Sequence, residues 1–401
     1  MDDMPVYQIA QKAASVFQDP KSQFFNIDTE DEIIFLLENQ GISLSVVEAR
    51  LKETIDELNL SSLVKKNLFE MSCGERQIIA FACAYATNPD ILVLDEPSSN
   101  LDGKAVQVIR LILEKLKQKG KTILIADHRF AYLKGLIDTA VYLEQGRIQK
   151  VYPAKAFYGL SEPERKAMGL RQLEEPENFL CRKADRSILS DEAEHSLELR
   201  NVSVSCGKHR VFEGVSFSLQ SGDIAAIVGS NGVGKTTLCR TICGFMESTS
   251  GEIRIDGVRL KKKQRLKESY VVMQDTNYQL FTESVLEECL LGNPGVSKKQ
   301  AMELLEQLDL KEEAGRHPQG LSGGQKQRLS VAVALLAGKK IIILDEPTSG
   351  LDYAGMMKVS SLLRHLAESG IIVIVITHDM EFLENTCNRC LELGADGIRG
   401  R

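Results

Sequence analysis

Residues 229–236 read Gly-Ser-Asn-Gly-Val-Gly-Lys-Thr and fit the pattern G-x-x-x-x-G-K-[ST]. An apolar run, Ile224–Val228, precedes them, and an apolar helical pattern, Thr237–Cys243, follows. Strand, glycine-rich loop and helix in that order make a phosphate cradle. The glycines let the loop wrap phosphates with backbone N–H groups, and the helix N-terminus adds the positive end of its dipole. Lys235 then reaches the β- and γ-phosphates, and the Thr236 hydroxyl can ligate Mg2+. Gly229, Ser230, Asn231, Gly232, Val233, Gly234, Lys235, Thr236 and Thr237 are therefore the expected phosphate-site residues.

A second apolar run, Ile341–Leu344, delivers Asp345 and Glu346 to the carboxyl edge of a sheet, where ligands bind in open α/β folds. Asp345 suits Mg2+, directly or through water. Glu346 is placed to polarise or deprotonate an attacking water. Ile91–Leu94, Thr122–Ala126 and Ile371–Ile376 are further short runs rich in Ile and Val, and they read as buried parallel strands. Helical patterns lie between them, as at Ala105–Lys117 and Met356–Glu368. Strand alternating with helix predicts an α/β fold with a mostly parallel sheet.

The chain repeats itself. Ser72, Asp95, Glu96, Asp102 and His128 each find the same residue 250 positions later, at Ser322, Asp345, Glu346, Asp352 and His378. Like residues at one offset indicate a duplicated domain. "VFQDPKSQFF" at 16–25 matches "VMQDTNYQLF" at 272–281 with an offset of 256, so six residues were inserted or lost before the next motif. Residues 153–195 are rich in charge and proline with little periodicity, and read as a linker. The expected organisation is a first domain over 1–152, a linker over 153–195 and a second domain over 196–401.

At 401 residues, 43% of them hydrophobic and 26% charged, the chain has the profile of a globular protein. A formal net charge of −7 argues against a protein that coats duplex DNA, and no nucleic-acid partner is expected. No apolar run approaches the length needed to span a bilayer, and the acidic start "MDDMPVYQ" lacks a signal core. Nine scattered cysteines suit a reducing compartment; the single C-x-x-C, Cys387 and Cys390, has no second pair at metal-ligand spacing.

"LSGGQKQR" at 321–328, the phosphate loop, "LDEPTSGLD" at 344–352 and "ITHD" at 376–379 together resemble the ATP-binding-cassette (ABC) ATPases over nearly all of 197–393 and most of 1–150. The resemblance implies tandem P-loop NTPase domains, each with a helical subdomain between Q-loop and signature, using ATP and Mg2+. Gln274 would sense Mg2+ and the attacking water, and Ser349–Asp352 would form the D-loop. His378 would contact the γ-phosphate as a catalytic partner of Glu346, and Ser322, Gly323, Gly324 and Gln325 would form the signature. Within the family, "VFQDPKSQFF…DEIIFLLEN" and "VMQDTNYQLFTESVLEE" look similar to the ATPases of energy-coupling factor (ECF) vitamin and metal importers. That implies a peripheral protein on the cytoplasmic face of the cell membrane. Its partners would be an ECF T-component-like transmembrane subunit, a substrate-binding membrane subunit and, as a further option, a second ATPase chain. The alternatives are a non-transport ABC ATPase and a regulatory or inactive nucleotide-binding fragment.

Three features depart from the family pattern. Gly229 lies 45 residues before Gln274 (274 − 229), and the matching position before Gln18 would fall upstream of Met1, so the first domain is expected to be an incomplete cassette without a P-loop. Cys206 stands where the family has an adenine-stacking aromatic; His209 or Phe212 could substitute, although Phe212 reads as core, and weakened base selectivity is expected. Finally, Met71-Ser72-Cys73-Gly74-Glu75 is a worn copy of Leu321–Gln325. Ser72 and Gly74 retain a hydroxyl and one backbone N–H for a γ-phosphate. Cys73 adds a Cβ where backbone approaches phosphate, and Glu75 adds a negative charge. If the halves pair head to tail, the P-loop faces Ser72 and Gly74; if two chains pair, it faces Ser322. ATPase rates of Ser72→Arg and Ser322→Arg separate the cases: loss only with the first indicates pairing within the chain, and loss only with the second pairing between chains.

Overall fold

The computed structural model describes residues 4–99, 101–174, 194–207, 209–273, 276–394 and 397–400. It divides into two compact units, Met1–Glu175 and Pro176–Arg401. The first contains α1 (Val6–Lys12), β1 (Ala13–Val16), α2 (Thr29–Asn39), α3 (Leu44–Leu58), α4 (Cys73–Ala86), β2 (Ile91–Asp95), α5 (Gly103–Gln118), β3 (Thr122–Ala126), β4 (Thr139–Glu144), β5 (Arg147–Pro153), α6 (Ala154–Tyr158) and α7 (Glu162–Ala167). The second opens with β6 (Ser196–Cys206), β7 (His209–Gln220), β8 (Ile224–Val228), α8 (Lys235–Cys243), β9 (Ser250–Ile255), β10 (Val258–Arg259), α9 (Lys262–Glu268) and β11 (Ser269–Val272). It continues through α10 (Val285–Leu290), α11 (Lys298–Gln307), α12 (Gly323–Leu336), β12 (Ile341–Asp345), α13 (Tyr353–Glu368), β13 (Ile372–Ile376), α14 (Met380–Thr386), β14 (Arg389–Gly394) and β15 (Gly397–Gly400).

In the second unit the main sheet runs β11-β12-β13-β8-β14-β15, parallel except for the β14–β15 pair. Every residue of β12 and β13 is buried. One face of this sheet packs under α8 and a four-stranded antiparallel sheet, β10-β9-β6-β7. The other face packs against α12, α13 and α14. The parallel core is the one expected from the Ile and Val runs. The antiparallel sheet was not anticipated, although "SLELRNVSVS" alternates at the strand period.

The first unit repeats part of this plan. Its sheet is β1-β2-β3, all parallel, and β4 and β5 form a separate hairpin. Among the described residues β3 pairs only with β2. The consequence shows at matched positions. Ile374 in β13 is 0% exposed, whereas Leu124, 250 residues earlier in β3, is 61% exposed. Val93, the counterpart of the fully buried Ile343, is 37% exposed. The opposite face of β1-β2-β3 is a proper core, with Val16, Leu92 and Leu94 packed with Ile79, Phe81 and Ile109.

The expected linker begins too early. Residues 153–174 belong to the first unit, where Phe157 and Leu173 pack with Tyr152 in a small cluster bordered by Phe130 and Leu170. Their apolar residues are spaced between charges, which hides them from a compositional reading. No helix among the described residues is long and apolar enough to cross a membrane. Cys387 and Cys390 are both buried in the core, where burial pushes the Cys387 thiol up.

Leu124 and Ile374 offer a direct comparison. Leu124→Lys should change stability by no more than about 0.5 kcal/mol, as for an exposed substitution. Ile374→Lys buries an unpaired ammonium and should cost at least about 3 kcal/mol. Denaturant unfolding followed by circular dichroism reads both.

Candidate functional site

The phosphate loop joins the buried strand β8 to α8 and needs its glycines. Gly229 has φ +152°, and a Cβ there would lie 2.5 Å from the carbonyl oxygen of Leu393. Gly234, the N-cap of α8, has φ +104°, and a Cβ would meet Val211 Cγ1 at 2.7 Å. Gly232 also turns through positive φ, at +79°. Lys235 is buried, and its ammonium donates to the carbonyls of Gly229 at 2.7 Å and Ser230 at 3.1 Å. His378 Nε2 lies 3.2 Å from Lys235 Nζ and 3.0 Å from Asn231 Oδ1, so the histidine at the end of β13 borders the loop. Val233 closes a turn onto Ser230, and Thr237 sits in the first helical turn.

Thr236 Oγ1 donates to Asp345 Oδ2 at 2.9 Å. Burial raises the Asp345 carboxyl above its ordinary range; the Thr236 hydroxyl and the Lys235 and Arg240 charges oppose the rise. A hydroxyl and a carboxylate converging beside a phosphate loop form an oxygen donor set that fits Mg2+.

Glu346 follows β12 with φ +50°, a conformation unusual for a residue other than glycine. Its amide donates to the Ile376 carbonyl at 2.8 Å, tying the end of β12 to β13. Its carboxylate Oε2 accepts from the Thr377 hydroxyl at 2.9 Å, and both side chains are buried. Gln327 of α12 reaches the Glu346 carbonyl at 3.4 Å. Two residues past Thr377, the Asp379 carboxylate caps α14 through the Phe382 amide and accepts from Thr348 at 2.7 Å. Thr377, Gln327, Thr348 and Asp379 were not singled out in the sequence. The signal for Thr377 was its place between a buried strand and His378.

The two signatures share one local design. Ser322 N-caps α12: its hydroxyl accepts from the Gln325 amide at 3.3 Å, and Gln325 Oε1 accepts from the Ser322 amide at 2.9 Å. Ser72 and Glu75 repeat this capping box on α4 at 3.3 and 2.9 Å. A Cβ at Gly323 would meet nothing within 4 Å, so the matching position of the second unit has room for the Cβ that Cys73 carries in the first. A Cβ at Gly324 would lie 3.1 Å from Leu351 Cδ2, and one at Gly74 3.1 Å from Ala105 Cβ, so packing favours glycine at this second position in both units. The negative charge expected to disturb the site at Glu75 has a partner, Lys66, at 3.4 Å. Burial pushes the Glu75 carboxyl up, but Ser72 and Lys66 more than offset this and leave it low.

The first unit keeps the acidic strand end. Glu96 has φ +42°, its amide donates to the Ala126 carbonyl at 2.7 Å, and its carboxylate accepts from Gln18 Nε2 at 2.7 Å. His128 Nε2 lies 3.7 Å from it. Gln274, the second-unit counterpart of Gln18, lies outside the described residues, as do the side chains of Cys206 and His209. Phe212 is core: it is 1% exposed, and its ring lies under Gly234.

With this geometry in view, comparison with known proteins is direct. The family model described as ABC transporter matches residues 3–99 and 212–349. The chain is 42% identical over 402 residues to a putative ABC transporter ATP-binding protein of Treponema denticola, covering 99% of this chain and 81% of that one. It is 31% identical over 421 residues to the putative HMP/thiamine import ATP-binding protein YkoD of Bacillus subtilis, covering 97% and 76%. A solved RNase-L Inhibitor structure superposes with a TM-score of 0.66 at 24% identity over 96% of this chain and 74% of that one, a likeness of fold alone. The chain belongs to the ABC transporter family. It is an ABC ATPase with cassettes in tandem, and it binds and hydrolyses ATP.

Gly229→Ala tests the loop. A methyl group there meets a backbone carbonyl that cannot step aside, so ATP affinity should fall at least about tenfold, equivalent to about 1.4 kcal/mol. Equilibrium nucleotide binding measures it.

Proposed function

We propose that the chain is the ATP-hydrolysing subunit of a membrane importer, of the ECF type that moves a vitamin or a metal ion. The phosphate loop would bind ATP, with Ser230 through Thr237 lining the phosphates. Thr236, Asp345 and Gln274 would hold Mg2+, which supplies charge neutralisation at the transferring phosphoryl group. Glu346 would act as the general base toward water, with His378 at the γ-phosphate. Ser322, Gly323, Gly324 and Gln325, or Ser72 and Gly74, would close over the nucleotide from a facing cassette.

The observation that carries the transport reading is a set of exposed aromatics beside the Q-loop segments. Phe25 is 74% exposed and stacks on Phe35, Phe69 is 75% exposed, and Phe281, the counterpart of Phe25 in the second unit, is 70% exposed. Large aromatics held in water, two of them at matching positions of the repeat, fit docking surfaces on the individual units. The occupants of these surfaces would be T-component-like transmembrane and substrate-binding subunits at the cytoplasmic face of the membrane. The name of the Bacillus subtilis relative, an HMP/thiamine import protein, agrees with a vitamin as cargo.

Glu346→Gln should keep ATP binding and lower turnover at least about 100-fold, within the range for loss of a general base. Phe25→Ser with Phe281→Ser should abolish co-purification with the membrane subunits and leave ATP binding intact. Unchanged turnover in the first variant, or undiminished co-purification in the second, would refute the corresponding part.

A further inference from the structure

Thr377 is a fully buried residue whose hydroxyl both donates one hydrogen bond and accepts another. The Asp379 amide donates to Oγ1 at 3.1 Å. The hydroxyl proton points the other way, to Glu346 Oε2 at 2.9 Å. An amide has no lone pair to offer and an ionised carboxylate has no proton, so the direction of both bonds is fixed. The Asp379 amide is itself held in place, because its side chain caps α14 and accepts from Thr348. A chain of buried bonds thus runs from the N-terminus of α14 to one oxygen of the Glu346 carboxylate.

That carboxylate needs such a restraint. Glu346 lies beyond the end of β12 on a left-handed backbone, and its side chain has several torsions that a hydrogen bond to the carboxylate restricts. With Oε2 engaged by Thr377, the carboxylate's rotation is restricted and its other oxygen is left to face the reacting water. A general base must lie within hydrogen-bond reach of the proton it takes, and displacement of about 1 Å can cost a hundredfold in rate.

The first unit supplies an internal control. Asp127 stands at the position of Thr377, one residue before His128. It offers Glu96 no donor. Its carboxylate instead accepts from the Ser98 hydroxyl, the Tyr132 hydroxyl and the Arg129 amide, each at 2.8 Å. Glu96 is held by Gln18, a residue on another segment. The fold therefore tolerates a different residue at this position. The donor to the glutamate from the residue before the histidine is a feature of the unit that carries the phosphate loop.

We propose that Thr377 is a positioning residue of the ATPase site, its hydroxyl orienting the Glu346 carboxylate toward the water that attacks the γ-phosphate. This rests on the reading of Glu346 as the base. A positioning role predicts a defect confined to turnover. In the full chain, Thr377→Val keeps the shape but removes the donor, and kcat should fall about tenfold or more while the KM for ATP stays within about twofold, since a hydrogen bond to a charged group contributes on that scale. Thr377→Ser restores the hydroxyl, and its kcat should lie within about twofold of the parent. A purely structural role would lower binding and turnover together and would not follow the hydroxyl.

The proposal is overturned if Thr377→Val retains the parental kcat, if it raises KM with kcat unchanged, or if Thr377→Ser is as impaired as Thr377→Val. Should Thr377→Val fail to fold, Thr377→Ala is judged by the same kcat and KM criteria. Glu346→Gln is measured alongside: unchanged turnover in that variant removes the base itself, whereas normal turnover in Thr377→Val with loss in Glu346→Gln removes only the positioning role.

Discussion

A single backbone hydrogen bond, from the Glu346 amide to the Ile376 carbonyl at 2.8 Å, holds the working end of the second unit together. It is made just beyond the last paired residues of β12 and β13, and it requires Glu346 to take φ +50°. A non-glycine residue in that region costs about 1–3 kcal/mol, which the fully buried strands on either side must offset. Released from this bond, the chain after Asp345 could continue in extended form and carry the carboxylate away. Held by it, Asp345 faces Thr236, Glu346 faces Thr377, and His378 comes beside Lys235. The first unit makes the same bond from Glu96 to Ala126, with the same turn of the backbone. A strained conformation kept in both copies is a constraint of this strand-to-strand junction rather than an accident of one of them.

Much of this was legible in the residues. Gly229–Thr236 and Ile341–Glu346 could be placed because each is a local pattern with a local cause: a loop that must wrap, and a strand that must be buried before it delivers charge. The repeat at an offset of 250 was legible because it compares the chain only with itself. Thr377 escaped because a threonine at the end of a β-branched run looks like part of the strand; its role depends on a glutamate 31 residues earlier and a helix cap two residues later. Residues 153–174 escaped for a different reason. Phe157 and Leu173 make a core only by meeting Tyr152 and Phe130, a tertiary fact with no periodic signature.

The worn signature reads differently once its geometry is known. Cys73 replaces a glycine that packing does not need, and Gly74 keeps one that packing does need. Glu75 replaces Gln325 as the side-chain acceptor of a capping box, and an acceptor is all the box requires. A carboxylate there also suits the positive end of the α4 dipole and is matched by Lys66. Each change in the five residues is one that the helix and its neighbours accept.

That acceptance separates two pressures that sequence comparison usually merges. At Ser72 and Ser322 the hydroxyl caps a helix, so selection for a folded protein is enough to preserve it whether or not a nucleotide ever arrives. At Cys73 folding makes no such demand, and at Glu75 it asks only for a side-chain acceptor in the capping box, which Gln supplies as well, so only ligand chemistry could choose between the two. The first and third positions after the signature leucine or methionine therefore give little warning of lost function when they are intact. The second and fourth are where a cassette released from catalysis would drift first.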